Sequence, residues 1–377
     1  MRYVIPNIVL PVLLLGCGQA TEAQTETVLY SFAGSPDGAD PHAGLVRYQG
    51  NFYGTTMQGG SSNLGTVFKL TPKGKETILH SFAGGTDGDS PTYGLVFDKE
   101  GNLHGTTPQG GAFNSGTVFT ITPSGTESVV YTFTGGADGA NPSSGLILDG
   151  NGNLYGTTFG GGAYGNGTVF ALSPSGVETV IYSFTGGADG GGPAGGLVRD
   201  GKGDLFGTNS GGYGIVFKVT PSGSETVLHY FTGDVSDGSS PSSGLVRDTL
   251  GNLYGTTSEG GTGDDGTLYE VSKSGVETIL IDFSISVAGY TPVGNLLLDK
   301  YDNLYGTTFN ASYPPCYCGA VFQFGRSVGY FLLYDFGRLP DGAYPNRYLV
   351  FGASGHLYGT TRSGGAYNQG TVFEVTP

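Results

Sequence analysis

The motif Asp-Gly-x-x-Pro occurs six times in this chain of 377 residues. Its aspartates are Asp37, Asp87, Asp138, Asp189, Asp237 and Asp341. Calcium prefers several carboxylate and carbonyl oxygens as ligands, so these repeated aspartates raise the hypothesis of calcium sites. The alternating acids and distant glutamate of an EF-hand loop are missing, which favours a turn whose carboxylate accepts backbone N–H hydrogen bonds. Calcium is the one cofactor that the sequence leaves open, and no other is expected.

Aromatic residues lie in neighbouring glycine-rich segments and are the candidate ligand-binding residues. They are Phe113, Phe159, Tyr164, Tyr213, Phe309, Tyr313, Tyr317 and Tyr367, with Tyr93, Tyr290 and Tyr344 close to Asp-Gly motifs or their counterparts. Exposed Tyr and Phe beside Asn, Ser and Gly can stack on sugars or contact a protein partner. Local packing of the loops is an equally good interpretation. The absence of tryptophan weakens the carbohydrate hypothesis a little.

The histidines do not form a catalytic pattern. The five of them, His42, His80, His104, His229 and His356, fall in different segments of the chain. His80, His104 and His229 stand where related segments have tyrosine or a similar residue, so they are interpreted as substitutions at packing sites. No Ser-His-Asp order and no zinc spacing are visible, and no catalytic residue is predicted.

Two cysteines form a Cys-x-Cys pair at Cys316 and Cys318. A disulfide between them is sterically tight, so a local disulfide and two free thiols are both kept as interpretations. A metal site would need more ligands than this segment offers.

The tetrapeptide Tyr-Gly-Thr-Thr, or a near copy, recurs seven times at intervals of 48 to 53 residues. Its glycines are Gly54, Gly105, Gly156, Gly207, Gly255, Gly306 and Gly359. Each repeat has four short segments rich in Val, Thr, Tyr, Phe and Leu, named a to d here, and turn residues separate them. This pattern of short segments separated by turn residues indicates strands, and no window has helical periodicity. Four strands in about 50 residues match a propeller blade.

The order of the segments predicts how the ring closes. The chain begins with a d segment near Glu26 and ends with a c segment at residues 370–376. The last blade must therefore take its d strand from the N-terminus, which removes the open sheet edges. We predict an all-β, seven-bladed β-propeller over residues 26–377, with four strands per blade and the last blade closed by the N-terminal strand.

The strand order also assigns the connections to faces. The b–c and d–a connections share one face, and they carry the length variation of the repeats, such as the shortened loop at 209–214. Variable loops collected on one face favour a binding surface. Simple tolerance of loops to change is the alternative.

The N-terminus predicts export. A short apolar run ends in Leu-Leu-Gly-Cys, so residues 1–17 are interpreted as a signal peptide with a lipobox, Cys17 as the lipidated residue and 18–25 as a tether. Cleavage after Ala20 or Ala23 is the alternative. Either way the domain is expected outside the cytoplasm, in the bacterial cell envelope or secreted, as a monomer that meets the membrane only through the lipid. The net charge of −15 argues against nucleic acid as a partner.

The repeat unit resembles a known family. Gly-Asn-Leu-Tyr-Gly-Thr-Thr, as at 152–158, followed by Gly-Gly and Gly-Thr-Val-Phe-x-x-x-Pro, is similar to the GloVer tandem repeat of bacterial "choice-of-anchor" surface proteins. The match covers residues 25–377. The resemblance implies an exported, surface-anchored protein and brings no catalytic residues; the lipobox would be the anchor. The Asp-x-x-Gly-Asn-Leu-Tyr element is also similar to NHL-type and streptogramin-lyase-like propellers, although the following Gly-Thr-Thr departs from both.

These observations predict a non-catalytic binding module that holds a glycan or protein on the b–c/d–a face. The first alternative is an extracytoplasmic lyase or hydrolase at the mouth of the central channel. A polar cluster that breaks the repeat symmetry near the axis would favour it, and the sequence shows none clearly. The second alternative is a purely structural or adhesive surface protein.

Overall fold

The computed structural model describes residues 25–241, 243–284, 289–311, 317–337 and 341–376. Over these ranges the chain consists of strands, turns and irregular segments. Within them there is also no helix of the length and apolar character that crossing a membrane requires. Cys17, Tyr313 and Cys316 lie outside the described residues.

Seven small antiparallel sheets make up the fold, and each is one blade of a seven-bladed β-propeller. The strands run in the order a, b, c, d from the axis outward. In blades 1 to 4 they are Val46–Tyr48, Asn51–Thr56, Thr66–Leu70 and Glu76–Ser81; Val96–Phe97, Leu103–Thr107, Thr117–Ile121 and Glu127–Thr132; Ile147–Leu148, Leu154–Gly160, Thr168–Leu172 and Glu178–Ser183; Val198–Arg199, Leu205–Asn209, Ile215–Val219 and Glu225–Tyr230. In blades 5 to 7 they are Val246–Arg247, Leu253–Thr257, Thr267–Val271 and Glu277–Asp282; Leu297–Leu298, Leu304–Asn310, Ala320–Gly325 and Gly329–Asp335; Val350–Phe351, Leu357–Gly364, Thr371–Val375 and Glu26–Ser31.

The N-terminal strand closes the ring, as the sequence predicts. Glu26–Ser31 pairs antiparallel with Thr371–Val375, from Glu26 opposite Val375 to Ser31 opposite Thr371. The next residue, Phe32, donates its N–H to Gly370 O at 3.0 Å. Its ring is fully buried and packs edge-on against Phe68 of blade 1 at 5.1 Å. The first strand of the chain therefore joins blade 7 and also seals the interface between blades 7 and 1.

The tetrapeptide is explained by packing between and within blades. In blade 2, a Cβ on Gly105 would lie 2.5 Å from the Phe119 ring of strand c, so only glycine fits at this position. The first threonine, Thr106, donates to Ser144 O of blade 3 at 3.2 Å. The second, Thr107, bonds Thr117 Oγ1 of strand c at 2.8 Å. The repeated Gly-Thr-Thr therefore joins the strands of one blade and contacts the next.

A bulge interrupts the pairing of strands c and d in every blade. In blade 1 the register shifts between Val67 and Phe68, and the same shift recurs in the other six sheets. A bulge bends its strand and redirects the following side chains. In blade 1 the alternation of side chains along strand d is therefore interrupted at Leu79, two residues before the strand ends at Ser81.

Short extra pairings fix the d–a connections against the ends of the b strands. Gly38–Ala39 pairs with Gln58–Gly59, and Gly238–Ser239 pairs with Glu259–Gly260. In blades 3, 6 and 7 the corresponding segments are Ala140–Pro142, Tyr290–Pro292 and Gly342–Pro345, which pair with elongated b strands. The two kinds of loop that share a face are thus held together by backbone hydrogen bonds, which makes the b–c/d–a face a rigid surface.

Candidate functional site

The Asp-Gly aspartates lie where the d–a connections leave the bulged strands. Asp37 accepts hydrogen bonds from Ala33 N at 2.8 Å, from Gly38 N at 2.6 Å and from the Tyr30 hydroxyl at 2.9 Å. Asp138 repeats this arrangement with Thr134 and Tyr131. Burial alone would raise the pKa of Asp138, but these hydrogen bonds together hold it below its ordinary value. The carboxylates therefore organise turns, which is the interpretation that the sequence favours; the calcium hypothesis stays untested.

Six of the eight candidate aromatic residues are exposed in the b–c loops. Phe113, Phe159, Tyr164, Tyr213, Tyr317 and Tyr367 have between 41% and 63% of their surface accessible. Phe309 differs, because its ring stacks on Tyr344 at 4.8 Å and is partly covered. The exposed rings are distributed around the ring of blades rather than gathered in one patch, so a binding site must be defined by what lies beside each ring.

A cleft of about 550 Å³ lies beside one of these rings, between blades 3 and 4. Phe159 and Asn166 line one side, and the glycine-rich segments 186–192 and 210–212 line the other. The Asn166 amide donates to Thr185 O at 2.9 Å, and Gly192 N donates to Asn166 O at 2.9 Å, so these bonds fix the walls. The shortened b–c loop of blade 4 leaves the space open. The cleft thus combines a flat apolar ring with accessible backbone polar groups.

The equivalent place between blades 6 and 7 shows why this cleft exists. Phe309 corresponds to Phe159, and Tyr344 corresponds to Gly192 in the Asp-Gly-x-x-Pro motif. Tyr344 and Gly192 both have a positive φ, of 59° and 61° respectively. Tyr344 covers the ring of Phe309. Gly192, at the equivalent place between blades 3 and 4, has no side chain, so 55% of the Phe159 surface remains accessible. A single tyrosine-to-glycine difference therefore uncovers the ring.

The central axis is closed by two residues that break the repeat. A leucine precedes strand a in every blade. At the position before that leucine, five blades have glycine, and the other two have Asn295 and Tyr348. A Cβ on Gly44 would lie 1.8 Å from Tyr348 Cβ. Asn295 Oδ1 accepts a hydrogen bond from Gly244 N at 2.6 Å. The glycines thus leave the space that Tyr348 and Asn295 fill, and a shallow cavity of about 170 Å³ lies against them.

Charged and aromatic side chains surround this closure, and they too depart from the repeat. Arg347 precedes Tyr348, and its charge acts on Tyr93 of blade 2 and on His42 of blade 1. Burial, followed by the charges of Arg362 and Arg347, lowers the pKa of His42 to about 3. The buried Nδ1 of His42 has no hydrogen-bond partner among the described residues. Two arginines therefore act on His42 near the axis, and one of them, Arg362, pairs with Asp40 at 3.4 Å.

This axial cluster is the symmetry-breaking feature that sequence reasoning did not identify. Its signal was present, since alignment of the seven repeats isolates Asn295 and Tyr348 at a position that otherwise holds glycine, and Arg347 is the one charged residue at the variable position before it. The cluster is poorly suited to general base catalysis, because a histidine with a pKa of about 3 binds a proton weakly at neutral pH.

The remaining predicted site residues are placed as follows. Cys318 is buried and forms a disulfide; since Cys316 lies outside the described residues, the pairing of the two stays a prediction. His104 contacts Asp98 at 3.0 Å and Thr120 at 2.7 Å, which makes it a hydrogen-bonded side chain within blade 2. His80 and His229 also face aspartates, Asp87 and Asp237.

Solved structures support the fold. PorZ of Porphyromonas gingivalis, described as an essential bacterial surface component of the type-IX secretion system, matches with a TM-score of 0.54 at 14% identity over 88% of this chain. The match spans 46% of PorZ, about half its length. A proposed 6-phosphogluconolactonase from Bacteroides uniformis matches with a TM-score of 0.52 at 18% identity, over 83% of this chain and 88% of the other. At these identities the likeness concerns the fold alone.

Sequence comparison gives the family. No match was found among curated proteins. A family model for the Gloeobacter/Verrucomicrobia repeat matches residues 19–213 and 209–377, which together include all seven blades. The two overlapping matches meet at the shortened loop of blade 4 and follow the repeat that the tetrapeptide indicates. The chain therefore belongs to the Gloeobacter/Verrucomicrobia repeat family.

Proposed function

We propose that this protein is a non-catalytic binding module at the bacterial cell surface and that its ligand is a glycan held in the cleft beside Phe159. The observation that carries the proposal is the accessible Phe159 ring over a cleft with glycine walls. The apolar face of a sugar stacks on such a ring, while its hydroxyls reach the backbone N–H and C=O groups beside it. The cleft presents few charges, which suits a neutral ligand.

Export and surface display are part of the same proposal. They are supported by the predicted signal peptide and lipobox that end at Cys17 and by the family of the repeat. The fold that the chain shares with PorZ, which is described as a surface component, is consistent with this location.

The test is binding of the full chain, purified in mild detergent, to a broad array of glycans and cell-wall polysaccharides. We expect a specific hit that Phe159→Ala weakens about tenfold, because a lost aromatic contact of about 1.4 kcal/mol corresponds to that factor. Gly192→Tyr should block the same hit by covering the ring as Tyr344 covers Phe309. The backbone of Tyr344 shows that a tyrosine is tolerated at this φ.

Phe113→Ala is the matched control, because Phe113 is equally exposed but lies outside the cleft. A hit that survives both Phe159→Ala and Gly192→Tyr would exclude the cleft as the binding site. A blank array would refute the glycan ligand and favour a protein partner or a structural role.

An extracytoplasmic enzyme is the second candidate, favoured by the axial cluster around Arg347. Its test is a search for shortened or modified products after incubation with the arrayed glycans. Products that disappear in Arg347→Ala but persist in Phe159→Ala would favour catalysis at the axis over binding in the cleft.

A further inference from the structure

Each Asp-Gly aspartate meets side chains from two neighbouring d strands. The penultimate residue of one d strand, Tyr or His, bonds the aspartate, and the first residue of the next d strand, a glutamate, approaches it from the adjacent blade. The six clusters are Tyr30–Asp37–Glu76, His80–Asp87–Glu127, Tyr131–Asp138–Glu178, Tyr182–Asp189–Glu225, His229–Asp237–Glu277 and Tyr334–Asp341–Glu26. Each cluster therefore links two blades at the outer part of their interface.

The three positions vary as a unit. At the interface of blades 5 and 6 the tyrosine position holds Ile281, the Asp-Gly motif is missing from the connection, and the register of strand d in blade 6 places Tyr330 where the other blades have glutamate. All three members of the cluster are therefore replaced together at this interface. The cluster is thus a functional or structural unit of the interface rather than three independent surface residues.

Two clusters differ from the others because histidine replaces tyrosine. His80 Nε2 lies 3.0 Å from Asp87 Oδ1, and His229 Nε2 lies 3.3 Å from Asp237 Oδ1. In both clusters the imidazole nitrogen and one oxygen of each carboxylate lie within 4.8 Å of one another. A tyrosine hydroxyl can only donate to the aspartate here, whereas a neutral imidazole offers a lone pair to a metal.

The glutamate of every cluster has a buried Oε1 without a hydrogen-bond partner among the described residues, so the histidine is the feature that distinguishes these two clusters. Oε1 of Glu127 and Oε1 of Glu277 are buried and have no hydrogen-bond donor among the described residues. Each points toward a second carboxylate, so two negative groups share a partly dehydrated site. A cation between them would satisfy the unpartnered oxygen and offset the repulsion.

We propose that His80–Asp87–Glu127 and His229–Asp237–Glu277 each bind one divalent transition-metal ion of the zinc class. One imidazole nitrogen and two carboxylate oxygens suit zinc, with water as the fourth ligand. Ligand atoms around tetrahedral zinc lie about 3.3 Å apart, so a small rotation of the glutamate completes the site. Because histidine and glutamate come from different blades, the ion joins blade 1 to blade 2 and blade 4 to blade 5.

The test measures zinc binding by calorimetry to the full chain, in mild detergent, at neutral pH, after removal of bound metal. We expect two zinc ions per wild-type chain, one in His80→Tyr, one in His229→Tyr and none in the double variant. Tyrosine occupies the same position in four other clusters and donates to the aspartate there, so these variants keep the interface intact. Glu127→Gln should weaken one site at least about 100-fold, because even outer-shell changes cost 10–100-fold.

His104→Tyr is the matched control. His104 also bonds an aspartate, Asp98 at 3.0 Å, but it does not belong to a three-ligand cluster among the described residues, and tyrosine stands at this position in other repeats. It should keep two zinc ions. Zinc should also raise the Tm of the wild type but leave that of the double variant unchanged. The proposal is overturned by the absence of zinc uptake, or by uptake that the double variant retains.

Discussion

Replacement of Phe32 tests the closure of the ring by the N-terminal strand. Phe32 is fully buried against Phe68 of blade 1, and its backbone is bonded to Gly370 of blade 7. Phe-to-Ala replacement at such a site costs about 3–5 kcal/mol, from lost burial and the cavity that remains. The cost should appear in the global unfolding of the propeller, because the strand completes a blade and seals an interface.

The expected shift in Tm follows from the size of the ring. With about 2.1 cal/mol/K of unfolding entropy per residue, a ring of about 350 residues that unfolds as one unit loses about 0.7 kcal/mol of stability per kelvin. Phe32→Ala should therefore lower the Tm by about 4–7 °C. Scanning calorimetry of the full chain in mild detergent measures this directly.

Phe82→Ala is the control within the same chain. Phe82 follows strand d of blade 1 as Phe32 follows strand d of blade 7, is also fully buried, and packs on Phe119 at 5.2 Å. It belongs to an interface that does not depend on the N-terminus. Equal losses of Tm are expected. An unchanged Tm in Phe32→Ala together with a clear loss in Phe82→Ala would refute closure by the first strand.

Three further predictions concern pH, calcium and the anchor. Burial, and then the charge of Asp37, raises the pKa of Glu76 from 4.5 to about 7 beside Tyr30. The folded state therefore holds the extra proton, and this contribution to stability is complete below about pH 4.5 and lost as the pH rises through about 7. Thermal scans from pH 5 to pH 8 should show a falling Tm in the wild type and a smaller fall in Glu76→Gln. An equal fall of Tm in both proteins would contradict this prediction. Calcium added to metal-free protein should leave the Tm unchanged, because a cluster such as Tyr30–Asp37–Glu76 offers two carboxylates, whereas calcium takes about six to eight oxygen ligands; a calcium-dependent rise would restore the calcium hypothesis. Cys17→Ala should release the exported protein from membranes, and continued association in cell fractionation would exclude the lipobox as the sole anchor.

The repeat made much of the fold predictable. Seven tetrapeptides fixed the number of blades, and a chain that begins with strand d and ends with strand c fixed the closure. These features are local and periodic, because six of the seven blades pair their strands within one repeat. The same regularity made individual positions hard to interpret, since Gly-Thr-Thr looks identical whether it packs a core or lines a site.

The candidate cleft shows the limit of sequence reasoning. Phe159 and Phe309 occupy the same place in their repeats, and the sequence analysis treated them alike. They differ because Tyr344 covers one ring and Gly192 leaves the other open. The covering residue belongs to the next d–a connection, and its contact with the ring is formed only when the blades pack together.

The sequence by itself determined the architecture, the order of the strands and the turns at Asp-Gly, because these depend on neighbours along the chain and on the hydrogen bonds of one repeat. The tertiary structure decided which aromatic ring is open, how Tyr348 and Asn295 close the axis, and how His80 meets Glu127. These arrangements join residues of different blades, and their distances are set when all seven blades close around a common axis.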